Sequence, residues 1–264
     1  MSFPTLSDTQ LSSYLRRIEF EGDLRADLAT LDALHLAHAT HIPFENLDVL
    51  LRRPIRLDVD SLHAKLVGDR RGGYCFEHNL LFAAALEKIG FAVTRLAGRV
   101  RYGTTVPRPR THTLLLVEVD GARWLADVGF GAEGLLLPVP ISDAPARQFA
   151  WTYRVAGRDG AFTLQSLRPS GWMDLYAFTL EAQQPPDYEM ANYFVSTHPD
   201  SPFVHMLTVQ LPTPAVRYIL RGRAFTEDRG DEVALRTLAD DELASVLIET
   251  FGVELPPGVA IPHS

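Results

Sequence analysis

The chain contains a single cysteine, Cys75, within the segment RGGYCFEHN at residues 71–79. The paired glycines end the preceding element, and the apolar run at residues 80–89 followed by Gly90 predicts a helix that stops at a glycine. Cys75 is therefore expected in the first turn of that helix, where unpaired N–H groups and the helix dipole stabilise a thiolate. Arg70 and Arg71 add positive potential. A lone cysteine is more often a small buried apolar residue, but this setting favours a nucleophile.

A histidine and an aspartate flank a predicted β-hairpin. Asp120 and Gly121 separate two apolar, β-prone runs, and an Asp-Gly pair between such runs is a strong hairpin signal. With these two residues as the loop, His112 and Asp127 become diagonal neighbours on one face, whereas a bulge would shift the register. Diagonal neighbours lie roughly 7–8 Å apart, within side-chain hydrogen-bonding reach. The spacing predicts a carboxylate that orients an imidazole.

Cys75, His112 and Asp127 together supply a nucleophile, a base and a group that orients the base. Each of the last two also has an ordinary structural explanation. His112 can be a hydrogen-bonded sheet histidine, and Asp127 can cap the turn after its strand. These explanations must also account for an ionisable pair on one face of otherwise apolar strands, so we favour a catalytic triad.

Five segments resemble the arylamine N-acetyltransferases in order and spacing. Four carry motifs and the fifth is the closing helix: residues 41–47 (HIPFENL), 71–79, 111–112 (TH), 127–131 (DVGFG) and 243–252. The resemblance implies an enzyme of xenobiotic metabolism that transfers acetyl from its co-substrate acetyl-CoA to the nitrogen of an arylamine or arylhydrazine. It also implies a ping-pong mechanism through acetyl-Cys75, with Cys75, His112 and Asp127 as catalytic residues and no metal. Between residue 130 and the closing helix the resemblance is looser, so the acceptor is poorly constrained.

The stretch GFGAEG at residues 129–134 matches the G-x-G-x-x-G dinucleotide fingerprint. A dinucleotide site needs a helix directly after the glycines, and LLLPVP at residues 135–140 cannot open one, which argues against a Rossmann site. A glycine loop beside the triad still lets backbone N–H groups approach a phosphate. In the resembling family CoA approaches the cysteine at this loop. Gly129, Gly131 and the neighbouring Thr111 are therefore the candidate CoA contacts.

Three phenylalanines lie in motifs or loops outside the periodic core runs, namely Phe44, Phe130 and Phe203. Core packing is the usual role of phenylalanine. The family resemblance implies that Phe44 and Phe130 line an acceptor pocket and stack on an aromatic substrate. Phe203 is the third candidate for this pocket.

Charge and composition restrict the class of protein. The net charge of −8 argues against a nucleic-acid partner, since phosphate contacts need a basic surface. No apolar run is long enough for a membrane span, the N-terminus lacks a signal peptide pattern, and a single cysteine suits a reducing compartment, so we expect a cytoplasmic enzyme. A local basic cluster is either a solvated loop or an attractor for an anionic donor such as CoA: Arg99, Arg101, Arg108 and Arg110.

The predicted fold class is α+β, because helical periodicity gives way to short strands near residue 91. Residues 1–92 are expected to form a helical domain that carries the nucleophile. Residues 93–198 are expected to form an antiparallel β-barrel or sheet that carries the histidine and the aspartate. Residues 199–264 are expected to form a mixed α/β lid that closes with a helix.

Other interpretations remain open at this stage. A thiol amidase or a transglutaminase-like enzyme uses the same residue types, and so does an amide synthase that acts on a tethered arylamine. A silent CoA-binding protein would instead keep the glycine loop and an unreactive Cys75. Cys75 and His78 offer too few ligands for a closed zinc site. His35, His38 and His41 read as a partly exposed stripe. The natural acceptor and the oligomeric state remain open.

Overall fold

The computed structural model describes residues 3–104, 106–131 and 133–255. A π-helical turn (Ala64–Gly68) directly follows the fourth helix, and a short 3-10 helix (Pro202–Val204) follows the sixth. The helices are α1 (Asp8–Arg17), α2 (Leu28–His41), α3 (Leu47–Leu50), α4 (Val59–His63), α5 (Cys75–Ile89), α6 (Pro185–Thr197) and α7 (Glu242–Phe251). The strands are β1 (Phe44–Glu45), β2 (Ala92–Val100), β3 (His112–Val119), β4 (Ala122–Ala126), β5 (Val139–Pro140), β6 (Ala146–Gln148), β7 (Trp151–Arg158), β8 (Ala161–Arg168), β9 (Gly171–Phe178), β10 (Thr208–Pro212), β11 (Arg217–Arg221), β12 (Ala224–Asp228) and β13 (Val233–Thr237).

The strands form two antiparallel sheets. The larger has eight strands in the order β5-β4-β3-β2-β9-β8-β7-β6, and the smaller has five in the order β1-β10-β11-β12-β13. β5 also contacts β7, so the larger sheet curls toward a barrel. Helices followed by a largely separate antiparallel sheet define an α+β fold, and the predicted class is confirmed. The division into three parts at residues 92 and 198 stays a prediction.

Strand β1 ties the N-terminal helices to the smaller sheet. Its Phe44 pairs with Gln210 of β10 and forms an isolated parallel bridge with Gly73. The Glu45 N–H donates to the Gly73 carbonyl at 2.8 Å. Gly73 precedes Cys75 by two residues. The backbone that leads to the cysteine is therefore anchored by β1, which itself pairs with β10 from the C-terminal part of the chain.

Helix α5 is the central element of the core. Every residue from Cys75 to Leu86 is buried, as expected for a helix that other elements surround. The helix packs against β2 and β3 and ends at Gly90, whose φ of 113° suits a residue without a Cβ. This packing fixes the N-terminus of α5, and with it the position of Cys75.

Two further helices have well-defined boundaries. Ser7 and Gln10 form the reciprocal capping box of α1, and α7 stops at Gly252 with φ 64°. Within the described ranges, no helix has both the length and the apolar character needed to cross a bilayer.

Candidate active site

Cys75 is the first residue of α5, as the glycine pattern predicts. Its side chain is buried, with 6% of the residue exposed, and its Sγ donates to the Thr111 carbonyl oxygen at 3.6 Å. The N–H of Tyr74, which caps the helix, donates to the carboxylate of Glu77 at 3.0 Å. The thiol therefore lies at the positive end of a well-anchored helix, where a thiolate is stabilised.

The hairpin register predicted from Asp120 and Gly121 is confirmed. Both residues have positive φ, 53° and 74°, and the flanking pair is Val119 with Ala122. The ladder continues to Leu115 with Ala126, where β4 ends, so His112 and Asp127 lie just beyond the paired residues. It brings His112 Nε2 to 2.6 Å from Asp127 Oδ2.

Asp127 is completely buried and held on all sides. Its Oδ1 accepts hydrogen bonds from Asn79 Nδ2 at 2.9 Å and from the Gly129 N–H at 3.0 Å. Its own N–H donates to His35 Nε2 at 3.1 Å, and His35 Nδ1 donates to the Leu136 carbonyl at 3.0 Å. These contacts fix the carboxylate that orients His112.

Sequence reasoning missed Asn79 and assigned His35 to a partly exposed stripe, which is wrong. His35 and His38 are both fully buried. Asn79 follows Cys75 by four residues in the same helix, a spacing that places both side chains on one face and could have identified it. The sequence carries no comparable signal for His35, because its partners are backbone groups far along the chain.

Burial and mutual contacts shift the pKa values of His112 and Asp127 so that both side chains are charged. Burial alone lowers the pKa of His112, but the Asp127 carboxylate and the Cys75 sulfur raise that pKa to about 10. Burial raises the pKa of Asp127, and its hydrogen bonds with His112 and Asn79 more than offset this, so the Asp127 pKa falls below its usual value. At neutral pH His112 is an imidazolium next to a carboxylate. Because Nε2 bonds Asp127, Nδ1 is the ring nitrogen left for Cys75.

Aromatic rings cover the histidine. The ring centroid of Phe130 lies 5.0 Å from that of His112, and the ring of Tyr176 lies 4.6 Å from it. Phe130 and Tyr176 also contact each other at 4.9 Å. Tyr176, on β9, was not anticipated from the sequence. These rings pack against the imidazole, and only 3% of His112 is exposed.

The other two candidate phenylalanines lie together in a second aromatic group. The ring centroids of Phe44 and Phe203 are 5.9 Å apart, and Phe44 stacks on His78 at 6.3 Å. Phe203 also meets Tyr74, the neighbour of Cys75, at 6.0 Å. The structure thus brings Phe44 and Phe203 together against Tyr74 and His78 of the segment that carries Cys75, whereas Phe130 belongs to the group around His112.

The glycine loop connects the two aromatic groups. A Cβ on Gly129 would lie 2.9 Å from the Cys75 Cα, so only glycine permits this close approach of the two backbones. Gly131 has φ 87°, and a Cβ there would meet the side chain of Gln210 and lie 3.6 Å from Phe44. Residues 135–138 are irregular and β5 follows, which agrees with the argument against a Rossmann site.

Two cavities lie near these elements. A cavity of about 290 Å³ includes Thr111 and Arg110 in its wall, together with Phe76 and Phe194. It adjoins the cysteine, since Thr111 accepts the thiol hydrogen bond. A larger cleft of about 1070 Å³ lies between residues 52–58 and α6, and neither cavity has Cys75, His112 or Asp127 in its wall. The smaller cavity is connected to Cys75 through Thr111.

The predicted basic cluster is largely engaged in local contacts. Arg99 donates to the carbonyl of Arg108 at 2.7 Å, Arg101 lies 3.5 Å from Asp174, and Arg110 donates to Glu181 at 2.9 Å. Of these residues Arg110 borders the smaller cavity. Within the described ranges, no three His, Cys, Asp or Glu side chains converge in a way that could hold a metal ion.

The α+β fold places one cysteine next to a buried His–Asp pair, an arrangement that thiol-dependent acyl-transfer and hydrolytic enzymes use. The family is shown by comparison with known proteins: a family model described as N-acetyltransferase matches residues 27–259. The arylamine N-acetyltransferase of Mycolicibacterium smegmatis is 42% identical over 253 residues, which are 93% of this chain and 92% of that protein. The chain belongs to the arylamine N-acetyltransferase family and is an acyltransferase.

Solved structures agree with this assignment. The arylamine N-acetyltransferase of Salmonella typhimurium superposes with a TM-score of 0.90 at 35% identity, covering 97% of this chain and 96% of that one. That of Mycobacterium marinum, solved in complex with CoA, gives a TM-score of 0.87 at 35% identity, with 92% of each chain covered. The fold is therefore shared over nearly the whole chain.

Proposed function

We propose that the protein transfers acetyl from acetyl-CoA to the nitrogen of an arylamine or arylhydrazine through an acetyl-Cys75 intermediate. The observation that carries the proposal is the 2.6 Å contact of His112 with Asp127, with Cys75 at the start of α5 beside the imidazole. Cys75 would be the nucleophile, His112 the acid and base, and Asp127 the residue that orients His112 and stabilises its cation.

In the first half-reaction the Cys75 thiolate attacks the acetyl carbonyl of acetyl-CoA. The carbon–sulfur bond to CoA breaks, and His112 gives its proton to the departing CoA sulfur. The first-turn N–H groups of α5 are available to hydrogen-bond the oxyanion that forms in between. One thioester replaces another, so this exchange is nearly balanced in free energy.

In the second half-reaction the acceptor nitrogen attacks the acetyl carbonyl on Cys75. His112, now neutral, takes a proton from the nitrogen, and the Cys75 thiolate leaves as the amide forms. Phe203 contacts Tyr74, the neighbour of Cys75, Phe44 packs on Phe203, and Phe130 lies on His112. We assign them to the acceptor pocket, where they would hold the aromatic ring by stacking.

The donor would reach Cys75 along the glycine loop and the smaller cavity. Gly129 brings its backbone against Cys75, and Thr111 links the thiol to the cavity wall. Arg110 borders this wall, where it is paired with Glu181. The CoA complex of the Mycobacterium marinum relative supports a CoA donor. Thr111, Gly129 and Gly131 remain our candidates for the donor contacts.

The order of events distinguishes this mechanism from direct transfer. One sulfur cannot hold donor and acceptor together, so incubation with acetyl-CoA alone should leave one acetyl group on the peptide that contains Cys75. An added arylamine should remove it, and double-reciprocal plots at several acceptor concentrations should be parallel. Cys75→Ser is the matched control and should not accumulate the acetyl group.

Intersecting lines, with no acetyl-protein in a rapid quench, would indicate transfer within a ternary complex. Amide hydrolysis that needs no CoA would indicate a thiol amidase instead. The same experiment therefore tests the reaction class and the intermediate.

A further inference from the structure

A buried carboxylate stands two residues from the proposed nucleophile. Glu77 lies in the first turn of α5 and is 2% exposed. Its Oε2 accepts the N–H of Tyr74 at 3.0 Å, and its Oε1 accepts Lys65 Nζ at 2.7 Å. Glu77 therefore has two tasks that need a charge on its carboxylate: it caps the helix that carries Cys75, and it pairs with a lysine.

Lys65 joins this carboxylate to a second one. Its Nζ also lies 2.7 Å from Asp48 Oδ2, and the lysine side chain is mostly buried. Lys65 sits in the π-helical turn Ala64–Gly68, and such turns frequently occur at functional sites. Burial alone lowers the pKa of Lys65, but the surrounding carboxylates raise it above its usual value. The lysine is therefore charged at neutral pH.

The pair has an electrostatic consequence for the sulfur. An unpaired Glu77 carboxylate would repel a thiolate on Cys75, and screening by water is weak because Glu77 is buried. Burial raises the pKa of Glu77 above its usual value, and Lys65 opposes that rise. Glu45, the other carboxylate that acts on Glu77, is paired with Arg71 at 2.6 Å. Lys65 is thus the cation directly bonded to Glu77.

We propose that Lys65 is a positioning residue of the active site, which acts through Glu77 by cancelling the charge that would otherwise oppose the Cys75 thiolate. The inference rests on the proposed role of Cys75 as nucleophile. On the side of the hairpin, the charged group that interacts with Cys75 is His112, and the phenols of Tyr74 and Tyr188 also lie within electrostatic reach of the sulfur. The Lys65–Glu77 pair acts on the sulfur through the start of α5.

The test is the pH dependence of Cys75 alkylation by iodoacetamide in the full-length protein. Removing the cation with Lys65→Met should move the midpoint of the rate profile up by about half a pH unit or more. Removing the anion with Glu77→Gln should move it down, while the amide oxygen can still accept the Tyr74 N–H. The double variant should return close to wild type, and Lys65→Arg should resemble wild type.

The opposite signs are the signature of an electrostatic role. A pair that is only structural would lower the unfolding temperature of both single variants without moving their midpoints in opposite directions. Superimposable profiles, or shifts of the same sign, would overturn the inference. Circular dichroism and thermal unfolding identify any variant that does not fold. If Lys65→Met does not fold, the direction of the midpoint shift in Glu77→Gln, with Lys65→Arg as the control, still tests the inference.

Failure of the proposed function is visible separately. If acetyl-CoA leaves no acetyl group on wild-type Cys75, the nucleophile assignment itself fails. If wild type is acetylated and the variant profiles coincide, only the role of Lys65 is wrong.

Discussion

His112 and His78 are both buried histidines of the same core, yet their pKa values move in opposite directions. The pKa of His112 rises to about 10, because the Asp127 carboxylate outweighs the cost of burial. The pKa of His78 falls to about 4, because burial dominates and its hydrogen-bond partners are neutral. The comparison shows that the partner, rather than the burial, decides whether an interior histidine carries charge.

The neutral histidines form a directed chain of hydrogen bonds. Since the Pro43 carbonyl can only accept, His78 donates to it from Nε2 at 3.2 Å and accepts at Nδ1 from His38 Nε2 at 3.0 Å. His38 then accepts at Nδ1 from the Tyr14 hydroxyl at 2.8 Å. Every ring nitrogen in this chain is satisfied without a charge. The chain satisfies buried rings without charge, whereas the His112–Asp127 pair holds a proton that the proposed reaction would use.

The strongest test of the comparison is Asp127→Asn, which gives His112 a neutral partner like that of His78. We expect kcat to fall about 10³-fold or more, because the amide can favour the wrong imidazole tautomer and cannot stabilise the imidazolium. Steady-state turnover with acetyl-CoA and an arylamine measures the loss, and thermal unfolding checks that the variant is folded. A folded variant with near wild-type turnover would make Asp127 a structural residue.

The next largest effect is expected when acid lowers the free energy of unfolding through the neutral buried histidines. The folded-state pKa of His35 and of His78 lies near 4, below the usual 6.5, so each takes up a proton on unfolding between these values. Their contribution is therefore fully present above pH 6.5 and is lost as the pH falls toward 4, by at most about 3 kcal/mol per histidine. Urea unfolding measured between pH 4 and 7 checks this dependence.

His78→Gln is the matched control for the loss of stability in acid. Its unfolding free energy should depend less steeply on pH than that of wild type, even if the variant is less stable overall. Equal slopes for the two proteins would show that His78 does not take up a proton on unfolding in this range.

The charged histidine predicts the reactivity of the cysteine. Because His112 stays protonated up to about pH 10, Cys75 should be alkylated rapidly and at a nearly constant rate from mildly acidic to neutral pH. At pH 6 we expect an advantage of about 10²-fold over His112→Gln, whose rate should follow an ordinary thiol. A wild-type rate that instead rises through pH 8 would contradict the imidazolium–thiolate pair.

The smallest expected effect is that of Tyr14→Phe, which removes the donor at the end of the neutral chain. His38 Nδ1 then lacks a partner, which should lower the free energy of unfolding by about 1–2 kcal/mol. The alkylation profile of Cys75 should not change, since the His112–Asp127 pair has no part in this chain. A shift in that profile would show that the two histidine groups are coupled.

The comparison also shows where sequence reasoning succeeds. The register of β3 and β4 follows from Asp120 and Gly121, because a two-residue turn with positive φ permits few alternatives. The contact of His112 with Asp127 follows from that register. Cys75 at the start of α5 follows from glycines close by in the chain. These features depend on short-range backbone geometry, which the local residues determine.

The tertiary structure alone decided what surrounds this site. His35 meets Asp127 across 92 positions of the chain, and the pairing of Phe44 with Gln210 joins strands from opposite ends of the fold. His38 was wrongly expected at the surface because its partners, Tyr14 and His78, lie on other helices and leave no periodic pattern. Burial and the choice of hydrogen-bond partner arise only when distant segments pack together. The triad's local geometry could therefore be predicted from the sequence, while the charge states of its neighbours could not.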